Sequence, residues 1–228
     1  MKKILGFTGK KGVGKNFVAD IAKKIIERTF ADIVAMNDKR GFKDNAGTIE
    51  FAAFAEPMKE FLIDICGLDR QKIYGTDNDK NAPTQYLWEK MPVWLQEKFG
   101  KTSGPVTIRH AMQIFGTELN REIWDQNLWV NAMKRRASNT PAGWFFITDC
   151  RYQNEIDSIR EMGGTVWKVD GPQRGDEFAK NDGHSSEKAM DSTVRHDYTV
   201  VNGLTDTPAT LEVKVKTALE ESFRIAMK

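Results

Sequence analysis

The sequence is poor in cysteine and in long apolar stretches. Its 228 residues include two cysteines, Cys66 and Cys150, which share no CxxC spacing. This scarcity argues against a disulfide framework or a structural zinc site and favours a reducing, cytoplasmic compartment. No run approaches the roughly 18 apolar residues that suggest a membrane-spanning helix, and the apolar stretch near the start is too short for a secretion signal. We therefore expect no membrane partner.

The chain also lacks a large net charge. Its 34 Lys and Arg residues nearly balance 32 Asp and Glu residues, which leaves a formal charge of +2. The basic runs at 10–11 and 134–136 are short, whereas nucleic-acid-binding proteins usually carry a broad basic face. We therefore expect no nucleic-acid partner. The length and the 40% hydrophobic content suit one soluble α/β domain with a sizeable core.

Short apolar runs alternate along the chain with amphipathic helical patterns. The predicted strands cover 4–8, 49–55, 144–148, 165–169 and 198–201, and the predicted helices cover 16–28, 108–123, 153–162 and the region around 211–219. This alternation predicts a parallel sheet flanked by helices. Residues 67–107 interrupt the pattern. We interpret them as an insertion that helps to cover a site, and a plain surface excursion is an equally good interpretation.

A glycine-rich segment lies between the first predicted strand and the first predicted helix. Its Gly-x4-Gly-Lys spacing, in this strand-to-helix context, predicts a phosphate-binding loop. Backbone N–H groups and the helix dipole would hold phosphate oxygens, and the lysine would reach the β and γ phosphates. The alternative is a glycine-rich turn without a ligand. The predicted ATP-binding residues here are Gly9, Lys10, Lys11, Gly12, Val13, Gly14, Lys15, Asn16 and Phe17.

Asn16 occupies the position where such loops usually carry the Ser or Thr that ligates Mg²⁺. An amide oxygen can serve as a hard ligand or can hold a water on the ion. Asn is also common at the start of a helix, which is the structural alternative.

A second predicted site follows the strongest strand, in the sequence WFFITDCRYQNE. Ligands of open parallel sheets bind beyond the carboxyl ends of the strands. Asp149 is therefore predicted to hold Mg²⁺ or its water, Arg151 to stabilise the transferring phosphoryl group, and Glu155 to orient Arg151 through an ion pair. The alternative is a capped strand end with a surface pair at i, i+4.

Three further segments carry weaker signals. Arg109, Gln113, Gly116 and Asn120 are spaced to share one face of a helix. That face could bind a phosphate and a base edge, although spacing alone favours a solvated polar face. Asn202-Gly203 could offer backbone groups to adenine or form an ordinary turn. The segment 184–187 could start a helix or lie in a lid over ATP.

Taken together, these motifs resemble the bacteriophage deoxynucleoside monophosphate kinase family. The run Arg109, Gln113, Gly116-Thr117, Trp129 and Asp149-x-Arg151-x3-Glu155 is the specific part of the resemblance. That family's loop often reads Gly-Lys-Asp-Thr, from which this chain departs at Asn16 and Phe17. The matching segments are GKKGVGKN at 9–16, FAEPMKEFL at 54–62, IRHAMQIFGTEL at 108–119, WV at 129–130, DCRYQNE at 149–155, EMGGTVWKV at 161–169 and YTVVNG at 198–203.

The resemblance implies transfer of the γ-phosphoryl of ATP to a deoxynucleoside 5′-monophosphate, with Mg²⁺ as cofactor. It implies a P-loop nucleoside-monophosphate-kinase-like fold with a five-stranded parallel sheet, an acceptor-binding region and a lid. Lys59 and Arg109 would contact the acceptor phosphate, and Arg151 would also face it. Gln113, Gly116, Thr117 and Trp129 would surround the nucleoside, while Lys15, Asp149, Arg151 and Glu155 would form the catalytic end.

We expect a single kinase domain over 1–228, with its core at about 1–66 and 106–228 and a cover at about 67–105. The aromatic residues of that cover would face a substrate or a homodimer partner. Two other functions remain open. One is a kinase of the same fold for another small phosphorylated acceptor, and the other is an ATPase driven by a macromolecular partner.

Overall fold

A computed structural model describes residues 2–35, 45–174, 195–225 and 227 of the chain. Packing divides it into two compact units, Met1–Phe54 with Val130–Lys228, and Ala55–Trp129. We call them the first unit and the second unit. The predicted site at 184–187 lies outside the described residues. No helix in the described ranges is both long enough and apolar enough to cross a membrane.

The first unit contains five strands and four helices among its described residues. The strands are β1 (Lys3–Thr8), β2 (Ile49–Ala52), β5 (Trp144–Cys150), β6 (Thr165–Asp170) and β7 (Tyr198–Val201), and the helices are α1 (Lys15–Ala35), α7 (Leu128–Asn139), which begins at the end of the second unit, α8 (Gln153–Glu161) and α9 (Pro208–Phe223).

These strands form one sheet in the order β2-β5-β1-β6-β7. Every neighbouring pair is parallel, so the predicted five-stranded parallel sheet flanked by helices is confirmed. The central strands read as unbroken apolar runs because helices cover both faces of the sheet. In β5, for example, Phe145, Phe146 and Ile147 are fully buried.

The order of the strands brings three candidate segments to one edge of the sheet. β1 pairs with β5 on one side and with β6 on the other, and β6 pairs with β7. Because all of them are parallel, their carboxyl ends meet at the same edge, where α/β proteins bind ligands. The glycine-rich loop follows β1, Asp149 and Arg151 lie at the end of β5, and Asn202 follows β7.

One strand is shorter than its apolar run predicts. The run at 49–55 forms a strand only to Ala52. Beyond it, the Phe54 N–H donates to Oδ1 of Asp149 at 2.6 Å, and Pro57 occupies the first turn of the next helix. A proline there starts a helix readily, so the chain leaves the sheet earlier than the apolar pattern suggests.

The second unit is built from short elements around its own core. They are α2 (Glu56–Asp64), α3 (Arg70–Tyr74), α4 (Asp77–Lys80), β3 (Pro83–Leu87), a 3-10 helix (Trp88–Lys90), α5 (Val93–Phe99), β4 (Pro105–Thr107), α6 (Ile108–Gln113) and a π-helix (Ile114–Trp124). Strands β3 and β4 pair antiparallel. Leu68, Ile73, Trp88 and Leu95 belong to the buried core, so the segment that interrupts the sequence pattern is packed structure.

The helix predicted over 108–123 is helical throughout, but only its first part is a regular α-helix. The α-helix ends at Gln113 and continues as a π-helix from Ile114 to Trp124. The indole Nε1 of Trp129 donates to the Gly116 carbonyl at 3.0 Å, and the Asn120 amide donates to the Phe115 carbonyl. Side-chain donors thus bind carbonyls within the π-helix. Its wider turn also ends the predicted alignment of Arg109 and Gln113 with Gly116 and Asn120.

Candidate functional site

The loop at 9–16, which we call the glycine loop, has a backbone that depends on its glycines. Gly9, Gly12 and Gly14 have φ angles of 137°, 79° and 91°, a region that other residues adopt only with strain. The Val13 side chain is buried in the core of the first unit, and this burial anchors the loop to the core. Helix α1 begins within its last two residues, at Lys15. The loop therefore presents backbone N–H groups at a helix N-terminus, an arrangement that suits an anion.

Lys15 lies across this loop. Its Nζ donates to the carbonyl of Gly9 at 2.6 Å and to the carbonyl of Lys10 at 2.9 Å. The ammonium group is therefore held among the backbone groups that would surround a phosphate. Lys10, Asn16 and Phe17 are exposed beside it, so the loop brings together the residues that its spacing predicted.

The turn after β7 braces the glycine loop. The Asn202 side chain is 3% exposed, and its Nδ2 donates to the Val13 carbonyl at 2.8 Å. The Gly203 N–H donates to Oδ2 of Asp206 at 2.7 Å. The predicted ATP-binding pair Asn202-Gly203 thus lies against the loop. The side chain of Asn202 faces the loop backbone. The backbone groups of the pair are also hydrogen-bonded, the two N–H groups to Asp170 and Asp206 and the two carbonyls to Arg174. The contact with adenine stays a prediction.

Arg174, which the sequence did not predict, lies against the candidate site. Its N–H donates to the Gly12 carbonyl at 3.0 Å, and its Nη2 donates to the Gly203 carbonyl at 2.8 Å. The residue therefore links the glycine loop to the turn after β7 and adds a positive charge beside them. No motif or periodicity surrounds it in the sequence, and only the tertiary fold reveals its place.

The three residues predicted at the end of β5 lie together. Glu155 is 2% exposed, and its Oε2 accepts hydrogen bonds from the N–H groups of Arg151 at 2.7 Å and Tyr152 at 3.1 Å. These bonds fix the turn that carries Arg151. Glu155 thus holds the backbone that carries Arg151, and the ion pair between the two side chains stays a prediction.

Cys150, which lies between Asp149 and Arg151 in the chain, is expected to be unreactive. Burial raises the pKa of its thiol well above the usual value, and the neighbouring carboxylates of Glu155 and Asp149 raise the pKa further. A thiol with a raised pKa stays protonated and is a poor nucleophile. Cys150 therefore contributes packing rather than covalent chemistry.

Asp149 and Asn16 have the donor chemistry that Mg²⁺ prefers, namely carboxylate and amide oxygens. One oxygen of Asp149 accepts the Phe54 N–H. In the described ranges, no group of three or more His, Cys, Asp or Glu residues could hold a metal ion by itself. Mg²⁺ in kinases is commonly bound by one or two protein groups together with substrate phosphates. The residues present fit an ion that arrives with its nucleotide.

The second unit contains the other predicted acceptor residues. Arg109 is held by Asp77, with Nη2 and Oδ1 at 2.9 Å, and Lys59 lies over the Tyr74 ring with its Nζ 4.5 Å from the ring centroid. Trp129 is bonded to the Gly116 carbonyl. Thr117 is buried and Gln113 is half-buried. All of the predicted acceptor residues except Arg151 therefore belong to one unit, and the predicted nucleotide residues belong to the other.

The comparisons with known proteins place the chain first in a class and then in a family. It is an enzyme, a phosphotransferase, because a family model described as deoxynucleotide monophosphate kinase matches residues 72–207. The match covers more than half of the chain, so the protein belongs to the deoxynucleotide monophosphate kinase family. The resemblance found in the sequence is thereby confirmed.

Individual relatives agree with this family. A putative deoxynucleotide monophosphate kinase of Acanthamoeba polyphaga mimivirus is 27% identical over 216 residues, which cover 89% of each chain. Among solved structures, a sugar kinase from Janibacter sp. HTCC2649 gives a TM-score of 0.37 at 17% identity, covering 99% of this chain and 96% of that one. TT1252 from Thermus thermophilus gives 0.39 at 14% identity, covering 96% and 97%. These two likenesses are too weak to carry an argument.

Replacing Gly9 with alanine should destabilise the glycine loop and lower the ATP affinity that is expected of it. A Cβ there would lie 2.2 Å from the Val169 carbonyl oxygen, which belongs to the backbone of β6 and cannot move aside. We expect a loss of roughly 2–4 kcal/mol in stability and a weaker ATP affinity, measured by thermal denaturation and calorimetry.

Gly100→Ala provides the matched control for this substitution. Gly100 also has a positive φ, but a Cβ there meets nothing within 4 Å. This variant should lose only about 1 kcal/mol and keep its ATP affinity. Equal losses of stability and of ATP affinity in the two variants would show that the Val169 carbonyl of β6 does not constrain the glycine loop.

Proposed function

We propose that the protein transfers the γ-phosphoryl group of ATP to a deoxynucleoside 5′-monophosphate, forming ADP and a deoxynucleoside diphosphate for DNA precursor supply. The observation that carries the proposal is the edge shared by β1 and β5, where the glycine loop with Lys15 lies beside the end of β5 and the start of α8, a stretch that carries Asp149, Arg151 and Glu155. Phosphoryl transfer relies on positioning and on charge neutralisation, and this edge offers cations, backbone N–H groups and a carboxylate.

In this mechanism, an oxygen of the acceptor's phosphate forms a bond to the γ-phosphorus, and the bond from that phosphorus to the β-phosphate oxygen breaks. ADP leaves with the electron pair of the broken bond. No dedicated base is required, because the acceptor phosphate is already an anion. Lys15 and the loop N–H groups hold the β and γ phosphates, and Arg151 stabilises the charge of the transferring group.

Asn16 and Asp149 are the residues that would hold Mg²⁺, directly or through water. When bound, this ion neutralises charge on the β and γ phosphates. Gly9 to Phe17 and the Asn202-Gly203 turn bind the remainder of ATP in this proposal. Glu155 keeps Arg151 in place through the turn at the start of α8.

Acceptor binding is assigned to the second unit and to Arg151. Lys59 and Arg109 neutralise the acceptor phosphate so that its oxygen can approach another anion. Gln113, Gly116, Thr117 and Trp129 contact the nucleoside. The half-buried Gln113 amide has a donor and an acceptor for a base edge, and the indole of Trp129 provides a flat apolar surface for stacking.

The decisive experiment follows ADP formation from Mg-ATP against a panel of acceptors. The panel contains dAMP, dGMP, dCMP, dTMP, 5-hydroxymethyl-dCMP, AMP, GMP and a sample without acceptor. Turnover that requires one or more deoxynucleotides supports the proposal. If no acceptor supports ADP formation while calorimetry shows that ATP binds, the proposal is rejected. The protein would then be a kinase of another phosphorylated acceptor or an ATPase driven by a macromolecular partner.

Arg109→Ala should mainly impair acceptor binding. We expect the KM for the deoxynucleotide to rise about tenfold or more, since a charge-assisted contact to phosphate is lost, while kcat changes less and the KM for ATP stays near that of the parent. Steady-state kinetics with each substrate varied in turn measures this.

The control for Arg109→Ala is Lys101→Ala, which removes a cation from an exposed position of the same unit. It should leave both KM values unchanged. An equal rise in acceptor KM for both variants would show that the loss of any positive charge from this unit has the same effect. Arg109 would then not be assigned to the acceptor site.

A further inference from the structure

We propose that Tyr74, Asp77 and Asn81 are positioning residues, which set the Lys59 ammonium and the Arg109 guanidinium in the geometry that receives the acceptor phosphate. The inference rests on the proposed function and deepens it. It assigns a role to helices α3 and α4 and the residue that follows α4, a segment in which the sequence predicted no site residue.

The contacts of Arg109 fix the plane of its guanidinium. Its Nε donates to Oδ1 of Asn81 at 3.0 Å, and its Nη2 donates to Oδ1 of Asp77 at 2.9 Å. Nε and Nη2 form one edge of a planar, rigid group, so two acceptors along this edge determine its orientation. The Arg109 and Asp77 side chains are 23% and 22% exposed, so solvent screens their attraction less than it does on an open surface.

Lys59 is held by a different kind of contact on the same segment. Its Nζ lies 4.5 Å from the centroid of the Tyr74 ring, within the range of a cation–π interaction. The ring is itself fixed, because the Tyr74 hydroxyl donates to Oε1 of Glu60 at 2.7 Å and Glu60 also accepts from the Arg70 guanidinium. Burial and this carboxylate together raise the pKa of Tyr74, so the hydroxyl remains a donor at neutral pH.

The segment 69–82, which carries Tyr74, Asp77 and Asn81, is held in place by several contacts. Ile73 is fully buried, Asp69 caps α3 through the Gln71 N–H at 2.8 Å, and Thr76 and Asp79 form a capping box around α4. The Ile108 N–H then donates to the Ala82 carbonyl at 3.0 Å, which joins the end of the segment to the residue before Arg109. A long side chain ordered in advance loses less entropy when its ligand binds.

The first test is Asp77→Asn, which keeps the shape of the side chain and removes its charge. We expect the acceptor KM to rise roughly 5- to 20-fold, with kcat at saturating acceptor and the KM for ATP changed by less than about twofold. Asn81→Ala, at an exposed position, removes the partner of Nε and should act in the same direction. It keeps the test decisive if Asp77→Asn folds poorly.

The matched control is Asp79→Asn, which removes a carboxylate from the same helix. The Asp79 carboxylate accepts from the backbone and hydroxyl of Thr76, so its loss loosens the cap of α4. If Asp77 served only the stability of α4, both variants would raise the acceptor KM alike, and the proposal would be overturned. We expect Asp79→Asn to keep the acceptor KM within about twofold of the parent.

Tyr74 is tested by comparing two substitutions. Tyr74→Phe keeps the ring face and should preserve the acceptor KM within about twofold, whereas Tyr74→Leu removes the face and should raise it roughly 3- to 10-fold. Equal acceptor KM values for the two variants would overturn the role of the ring.

A double substitution separates this inference from the proposed function. In an Arg109→Ala background, Asp77→Asn should have no further effect on the acceptor KM, since its target is gone. If Arg109→Ala raises the acceptor KM while Asp77→Asn and Asn81→Ala do not, the positioning role fails and the proposed function stands. If Arg109→Ala itself has no effect, the assignment of the acceptor site fails and the inference fails with it.

Discussion

Replacing Lys15 with alanine is expected to lower kcat for phosphoryl transfer by two or more orders of magnitude, which is on the order of 3 kcal/mol of lost transition-state stabilisation. Lys15 brings a full positive charge into the glycine loop, where its Nζ lies within hydrogen-bond distance of the Gly9 and Lys10 carbonyls. The loop N–H groups remain in the variant, so ATP should still bind, although less tightly. The β and γ phosphates would lack the positive charge that Lys15 contributes in the proposed mechanism.

The measurement is single-turnover transfer from ATP with acceptor in excess, together with ATP affinity by calorimetry. Lys24→Ala removes a lysine from an exposed position of the same helix α1 and should leave both quantities unchanged. A folded Lys15→Ala variant that keeps near-parental kcat would show that the loop does not bind the phosphates of ATP in the proposed way.

The second large effect is expected for Arg151→Ala, again a loss of two or more decades in kcat, on the order of 3 kcal/mol. The position of Arg151 is set by Glu155, whose buried carboxylate holds the N–H groups of Arg151 and Tyr152. This arrangement orders the backbone before substrate binds. From this ordered backbone, the guanidinium is expected to stabilise the charge of the transferring group.

Two variants sharpen this test. Arg151→Lys keeps the charge but loses the planar fork, so we expect it to recover only part of the lost kcat. Arg135→Ala removes an exposed arginine from helix α7 of the same unit and should behave like the parent. A folded Arg151→Ala variant with nearly full activity would contradict the catalytic assignment.

The sequence predicted those parts of the molecule that depend on local pattern. The strands of the sheet are short apolar runs because both of their faces are buried, and burial dictates composition. The glycine loop follows from a fixed spacing of glycines with a lysine between a strand and a helix. The predicted helix at 153–162 ends within one residue of the expected position, at Glu161. The two glycines that follow it end the helix in a common way, since the N–H groups of Gly163 and Gly164 donate to the carbonyls of Arg160 and Ile159.

The parts that escaped prediction depend on contacts between distant residues. The π-helix involves hydrogen bonds from Asn120 and Trp129 to carbonyls of Phe115 and Gly116, and no periodicity encodes them. Arg174 meets Gly12 and Gly203 only when β6 and β7 have paired. The partners of Arg109 lie about 30 residues away, at Asp77 and Asn81, in a segment whose composition resembles that of a surface loop.

The division of the chain into units has a consequence for how acceptor preference can be changed. The second unit is one uninterrupted stretch from Ala55 to Trp129, whereas the first unit is assembled from two stretches. Every proposed acceptor contact except Arg151 lies within the uninterrupted stretch, and none of the five strands of the parallel sheet does. On the proposed assignment of the site residues, exchange of this single stretch between relatives is expected to transfer most of the acceptor specificity and to leave the proposed ATP-binding residues unchanged.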